Sequence, residues 1–590
     1  MDAAAKLAAL RSALAAANLQ GFLLPMADEY LGEYIPQHSA RLAWLTGFTG
    51  SAGTVVILPQ RAALFTDGRY TLQARTETDE ALYERHNSTQ MKPEEWLALN
   101  APTGARIGYD PMLHSILNIE QIMRQRTPVT LVPCIPNPID ALWKDRPNAS
   151  SEAAFAHSPA YAGLTQAEKC AAVIKTLREQ GADATVLVAC DSINWLLNIR
   201  GRDLAYTPVV LAYALLDIEG RIKLITDPAK FSPELRKQLG AAVSIVPPEQ
   251  LQEALEALGQ TKKKVLLDPA LTPAWFAEIL EAEGAQIIRG DDPCVPPKAV
   301  KNLTELEGAR RVHVRDGLAV TRFLHWLDTK RGKKTTEMDA AARLLEFRKQ
   351  DQEFFSPSFE TIAGSGPNGA IVHYRVSDAT NRKFEKNDIF LLDSGAQYPD
   401  GTTDITRTVA LGRTTKEQRE RFTRVLKGHI ALASVCFPEG TSGVQLDILA
   451  RRALWQGGLD FDHGTGHGVG SFLSVHEGPQ RIGKRGGAAV LKAGMIVSNE
   501  PGYYKEGEYG IRIESLVTVV VRGKMESGAP LLGFETLTCV PIDRRLIEPK
   551  LLSPPERTWL NNYHAWVYAK HKKTIGFGAR GWLKKMCKKI

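Results

Sequence analysis

Four carboxylates and one imidazole stand in order in the C-terminal half of the chain: Asp393, Asp404, His467, Glu500 and Glu514. Such a set suits a pair of divalent cations. Carboxylates bridge two metals, and mixed oxygen and nitrogen ligation fits manganese, cobalt or zinc better than copper or an iron–sulfur cluster. A paired centre of this kind activates water for hydrolysis and clamps the transition state.

The spacing has a structural reason. Asp393 follows the apolar run Ile389-Phe390-Leu391-Leu392, which predicts a buried strand. Asp404 sits in the β-branched run Thr402–Val409, and Tyr398-Pro399-Asp400-Gly401 between them is a turn signal. Folding the chain at that turn predicts that Asp393 faces Asp404 across an antiparallel pair, with Cβ atoms about 5 Å apart. The construction recurs. Met495–Glu500 and Gly510–Val517 predict two strands around Lys505-Glu506-Gly507-Glu508, which sets Glu500 opposite Glu514. Opposed carboxylates repel unless cations lie between them. Surface acids need no such explanation, but Asp393 and Glu514 are embedded in apolar runs where an unpaired charge is costly.

His467 lies in His463-Gly464-Thr465-Gly466-His467-Gly468-Val469-Gly470. Its alternating glycines argue against helix and for close backbone approach. The run is not a phosphate loop, because no strand–loop–helix pattern surrounds it and no lysine follows. His373 follows Gly364-Ser365-Gly366-Pro367-Asn368-Gly369, and His476 opens His476-Glu477-Gly478-Pro479. No His-Glu-x-x-His helix, Gly-x-Ser-x-Gly elbow or Cys-x-x-Cys occurs.

These stretches carry a family resemblance. With Leu392-Asp393-Ser394-Gly395, Thr403–Thr408, Ser498–Tyr504 and Gly510–Glu514, the region from Thr304 to Val540 resembles the creatinase/methionine-aminopeptidase "pita-bread" metallopeptidases. Within them it is similar to the long, three-domain Xaa-Pro aminopeptidase branch. The resemblance implies an α/β (α+β) chain: two creatinase-N-like domains at 1–140 and 141–300, a pita-bread catalytic domain at 301–540, and an extension at 541–590. It implies two divalent metal ions per subunit, manganese first and cobalt or zinc as substitutes. Asp393 would bind one ion, Asp404 and Glu514 would bridge both, and His467 and Glu500 would complete the other. Glu500 would also shuttle the proton. His373 and His476 would contact substrate and stabilise the oxyanion, His463 would line the proline-side pocket, and Arg512 would orient the ligands. Peptides with proline at the second position are the implied partners, and a homodimer the implied assembly. Two readings stand beside the aminopeptidase: a prolidase acting on Xaa-Pro dipeptides, and a non-catalytic pita-bread peptide-binding protein.

Composition bounds the remainder. At 590 residues the prior is several domains, and 44% hydrophobic with 24% charged residues is ordinary for soluble protein. No apolar stretch is long enough for a membrane span. The N-terminus predicts an amphipathic helix to about Ala17 and lacks a signal-peptide pattern. Seven scattered cysteines fit reduced thiols in the cytoplasm. A weak internal repeat runs through the first 300 residues. Trp44–Phe48, Thr54–Leu58 and Leu64–Asp67 match Trp195–Ile199, Pro208–Leu211 and Leu224–Asp227, with a strand at Ala184–Val188. The Pro-rich stretch from Pro128 to Pro147 separates the copies. A capping box at Thr304–Glu307 predicts the start of a helix. Lys570 to Lys589 holds eight Lys/Arg and no acid against a whole-chain +7, leaving the remainder near −1. It is read as a solvated terminus, with no nucleic-acid or membrane partner.

Overall fold

A computed structural model describes residues 1–125, 129–329, 332–486 and 489–590. Pro128, at the head of the Pro-rich stretch, lies outside the described residues. The chain forms two compact units: Met1–His157 with Leu164–Val295, and Ser158–Gly163 with Pro296–Ile590.

The first unit contains the same sheet twice. One sheet runs, edge to edge, Glu84–Asn87, Ala62–Thr66, Thr54–Ile57, Gly21–Pro25, Ala105–Tyr109, Val129–Pro133. The other runs Val243–Val246, Ile222–Ile225, Tyr213–Asp217, Ala184–Leu187, Lys264–Leu267, Gln286–Arg289. In each sheet the three middle strands pair antiparallel and the outer pairings are parallel. Two details depart from the sequence reading. Gly21–Pro25 is the first copy's counterpart of Ala184–Leu187. The second copy's strand is Tyr213–Asp217 rather than Pro208–Leu211: the latter run is buried, but Pro208 has no N–H to give a ladder.

The longest helix described in the second unit is Leu303–Leu327. Its cap is Asn302 with Glu305, two residues earlier than the predicted Thr304–Glu307 box. Asn302 Oδ1 accepts from Glu305 N at 3.0 Å, and Glu305 Oε2 accepts from Asn302 N at 3.0 Å. The strands Ile389–Tyr398 and Gly401–Ala410 form a hairpin closed at Pro399-Asp400, and all twenty of their residues are buried. A six-stranded sheet runs Cys436–Pro438, Pro530–Thr536, Ser515–Lys524, Ile496–Asn499, Gly466–Gly468, Glu477–Ile482.

The basic tail is not a free terminus. Lys570 lies in the last turn of the helix Pro554–His571, and Phe577–Met586 forms a second helix. Leu560, Tyr563, Val567, Ala579 and Leu583 join the same apolar cluster as Phe422, Val425 and Leu426 of the helix Lys416–Ser434. Burying a leucine side chain stabilises by roughly 2 kcal/mol, which outweighs the cost of ordering it. The lysines and arginines point outward from this packed face.

Candidate metal centre

Each candidate ligand is presented by a strand or by a break between strands. Asp393 lies opposite Thr406, and Asp404 opposite Gly395, in the hairpin register. The two aspartates are therefore diagonal neighbours on one face, offset by two residues, not directly opposed as the sequence predicted. Diagonal Cβ atoms sit up to about 7 Å apart, wider than the direct pair. Gly395, opposite Asp404, lets Ser358 and Thr403 approach closely: a Cβ there would lie 2.0 Å from Ser358 Oγ and 2.1 Å from Thr403 O.

Glu500 and Glu514 sit where two ladders are interrupted. Asn499 pairs with Ser515 and Gly502 with Arg512, so the register is unbroken across the gap and sets Glu500 opposite Glu514. Pro501 has no N–H and cannot continue the ladder. The released amides find partners elsewhere: Glu500 N donates to Thr465 O at 2.9 Å and Glu514 N to Thr406 O at 3.1 Å. The glutamates are thereby tied to segments carrying His467 and Asp404.

His467 stands on the short strand Gly466–Gly468, held against its neighbour because a Cβ at Gly466 would meet Ser498 O at 2.0 Å. Its Nε2 is 3.5 Å from both Asp404 Oδ2 and Glu500 Oε1. Nδ1 lies 2.9 Å from the Gly468 carbonyl, an acceptor only, so the Nδ1 proton is fixed there. A neutral ring would then aim its Nε2 lone pair at two carboxylates. The arrangement demands a cation at Nε2, either a proton or a metal ion. Burial disfavours a charged ring, yet the hydrogen bond to Asp404 and the charge of Glu500 bring His467 up to about 9 in the metal-free chain. Ligand atoms of Asp404, His467 and Glu514 all lie within 4.8 Å of one another.

The carboxylates are electrostatically incomplete. Burial pushes both Asp393 and Glu514 above the ordinary carboxylate range, and Asp404 and Glu500 push the same way. Asp393 Oδ1 and Asp404 Oδ1 are buried without a hydrogen-bond partner. Orphaned carboxylate oxygens beside an imidazole nitrogen are a donor set for hard-to-borderline divalent cations, so the residues fit the metals the resemblance implies.

Around these groups lie Arg512, which the resemblance implied, and Thr406, Ser498, Tyr504 and Arg407, to which the motif reading gave no role. Arg512 Nη2 donates to Asp393 Oδ2 at 2.6 Å and its Nε to Thr406 Oγ1 at 3.1 Å. Thr406 Oγ1 in turn donates to Glu514 Oε2 at 2.8 Å. Ser498 Oγ donates to Glu500 Oε1 at 3.0 Å and accepts from His467 N at 3.0 Å. Tyr504 Oη stands 2.8 Å from His463 Nε2 and accepts from Arg512 Nη1 at 2.5 Å. The buried Arg407 reaches Val540 O at 2.9 Å and Tyr563 Oη at 2.8 Å, and also the Glu514 carbonyl, joining the C-terminal helices to a ligand segment. Ser, Thr and Tyr carry no ligand signature in sequence; only the fold brings them to the site.

Two of the three remaining histidines border the centre directly. The His476 ring meets the His467 ring edge-on at 4.3 Å between centroids. His463 Nδ1 is 4.0 Å from Glu500 Oε2. His373 is half-buried in the segment after the turn Gly366–Ala370, and the adjoining Val372 carbonyl accepts from Arg512 at 3.3 Å.

The chain belongs to metallopeptidase family M24, and its full-length relatives place it among the Xaa-Pro aminopeptidases of that family. The family's profile matches residues 307–521, its C-terminal region residues 530–590, and creatinase/prolidase N-terminal domains residues 6–142 and 145–305. A probable Xaa-Pro aminopeptidase P of Laccaria bicolor is 39% identical over 99% of this chain and 93% of that protein. Aminopeptidase P2 of Arabidopsis thaliana is 38% identical over 96% of this chain and 85% of that protein. Among solved structures, X-prolyl aminopeptidase from Caenorhabditis elegans, described as a cytosolic enzyme with a di-nuclear active site, superposes with a TM-score of 0.95 at 35% identity. It covers 100% of both chains. The fold is thus two creatinase-type N-terminal domains followed by the M24 pita-bread domain.

Proposed function

We propose that this chain is a manganese-dependent aminopeptidase that hydrolyses the bond between an N-terminal residue and a following proline. One observation carries the reading: ligand atoms of Asp404, His467 and Glu514 lie within 4.8 Å of one another, Glu500 faces the same His467 nitrogen, and buried Asp393 and Asp404 oxygens are left unpartnered. Two bound divalent ions supply an acidified water and polarise the scissile carbonyl.

The protein's own groups do the rest. Asp393, Asp404, His467, Glu500 and Glu514 would hold the two ions. The Glu500 carboxylate, half-held by Ser498, takes the proton and delivers it to the departing proline nitrogen. His373 and His476 contact substrate and donate to the developing oxyanion. His463, steadied by Tyr504, lines the proline side. Arg512 holds Asp393 in place, and such partners set a ligand's orientation and basicity. An Xaa-Pro bond is a tertiary amide without an N–H and exists in slowly exchanging cis and trans forms, so a dedicated pocket is needed to select it. The enzyme works in the cytoplasm, a reading supported by the C. elegans neighbour described as cytosolic, and as a homodimer, the commonest closed assembly. No helix among the described residues is long and apolar enough to cross a membrane.

The test compares an Xaa-Pro-Pro tripeptide with an Xaa-Pro dipeptide, after chelation and after manganese is restored. Release of the first residue from the tripeptide, lost on chelation and regained with metal, supports the proposal. Cleavage of the dipeptide alone makes the chain a prolidase. No cleavage of either by metal-loaded protein makes it a peptide-binding relative.

A further inference from the structure

We propose that Glu337 is a positioning residue for the reaction, its carboxylate fixing the loop that carries His373. The inference rests on the reading of His373 as a substrate-contacting group. Glu337 is the first residue of the helix Glu337–Arg348 and is fully buried. Its Oε1 accepts from Ser365 N at 2.6 Å and Ser365 Oγ at 3.2 Å. Its Oε2 accepts from Asn368 Nδ2 at 2.9 Å, Tyr374 Oη at 3.0 Å and Arg382 N at 3.0 Å. Its own backbone N–H donates to Arg382 O at 3.1 Å.

All the donors come from one stretch of chain. Ser365 ends the strand that enters the loop, Asn368 lies in its first turn, Tyr374 follows His373, and Arg382 lies on the return. A single carboxylate thus closes residues 365–382 at four points. Hydrogen bonds to an ionised acceptor are stronger than neutral ones, and the first turn of a helix favours the negative charge. On the other side of His373, Arg512 Nη1 and Nη2 both donate to Val372 O at 3.3 Å. The residue before His373 is therefore held by the arginine that orients Asp393, and the residue after it by Glu337. Two anchors on adjacent residues leave the His373 backbone little freedom, which is what a group aimed at a transition state requires.

The experiment uses full-length, metal-loaded protein and four forms: wild type, E337Q, H373A and the double variant. Metal content and melting temperature are measured beside kcat/KM on the tripeptide. The expected result is a fall of about 100-fold for E337Q with both metals retained. H373A falls at least as far, and the double variant falls no further than H373A alone. A double variant whose loss is the product of the two single losses overturns the proposal, and so does E337Q with wild-type kinetics. An unimpaired H373A instead removes the reading of His373 itself. Should E337Q not fold, Y374F removes one donor and keeps the carboxylate. Its several-fold loss must vanish in the H373A background, and persistence there overturns the proposal.

Discussion

Arg512 and Asp393 are bonded at 2.6 Å, and the guanidinium that orients this carboxylate also holds Thr406, Tyr504 and the carbonyl before His373. One buried cation thus spans a candidate metal ligand, the Tyr504 beside His463, and the His373 loop. In R512A, Asp393 loses its one side-chain donor among the described residues, and with it the guanidinium charge that opposes the effect of burial. Outer partners of metal ligands are worth about 10–100-fold in affinity. Manganese titration of R512A by calorimetry should show a loss of that size. Unchanged affinity would mean that Asp393 is oriented by the sheet alone.

Gly395 offers a steric test of the diagonal register. G395A places a methyl group within 2.0 Å of Ser358 Oγ and 2.1 Å of Thr403 O, both in the hairpin's immediate packing. Overpacking of this kind costs about 1–3 kcal/mol and shifts the neighbouring strand. The melting temperature should fall, and metal bound per chain should fall with it. Full metal occupancy in a normally stable G395A would refute the close approach of Ser358 and Thr403 to this position.

His564 makes stability depend on pH. It is buried, its Nε2 accepts from Ile542 N at 3.2 Å, and burial with the nearby Arg407 depresses it to about 4. The unfolded chain binds the proton near 6.5. Between those values the unfolded state carries more protons, so stability is whole above pH 6.5 and drains as pH falls toward 4. The full effect is on the order of 3 kcal/mol. Denaturant midpoints between pH 7.5 and 5 should fall in wild type and fall less in H564Q, whose amide does not titrate. Parallel slopes would assign the acid sensitivity elsewhere.

Ending the chain after Ile575 removes the helix Phe577–Met586, with buried Ala579, Leu583 and Met586 and the Trp582 indole bond to Asp328 at 2.9 Å. The apolar loss alone is about 3–5 kcal/mol. Urea unfolding should register it in the catalytic unit. A truncated protein of unchanged stability would restore the reading of this segment as a free basic tail.

How much of this was legible depended on which signals survive burial. The hairpin turn at Pro399-Asp400 was readable because Pro and Asp-Gly have specific backbone demands. The register beside it was not, since both strands are buried along their whole length and offer no polar alternation to choose between a direct and a diagonal pair. The repeat in the first unit stood out through its Trp, Gly and Thr-Asp punctuation, yet Gly21–Pro25 was hidden in a short run without alternation. At the long helix, Asn302 and Thr304 each have Glu three residues on, so the sequence holds two overlapping caps. The contacts of Asn302 decide between them. Lysines masked the last helix, whose Ala579, Leu583 and Met586 spacing carried the opposite message. The candidate ligands drew notice in the sequence because carboxylates inside apolar runs have few other uses. Thr406, Ser498 and Tyr504 were not, because hydroxyls are common everywhere.

The interruption shared by Glu500-Pro501 and Ile513-Glu514 has a consequence for ion size. Both glutamate amides are anchored to other segments, Glu500 to Thr465 and Glu514 to Thr406, so the backbone cannot slide to follow a shortened side chain. The distance between opposite sides of the centre is therefore written in peptide bonds, and rotamers adjust only what remains. Aspartate at position 500 or 514 leaves a gap that no strand movement closes, and a larger cation must be met by side-chain torsion alone. On the proposed ligation, selectivity among divalent ions becomes a property of the sheet.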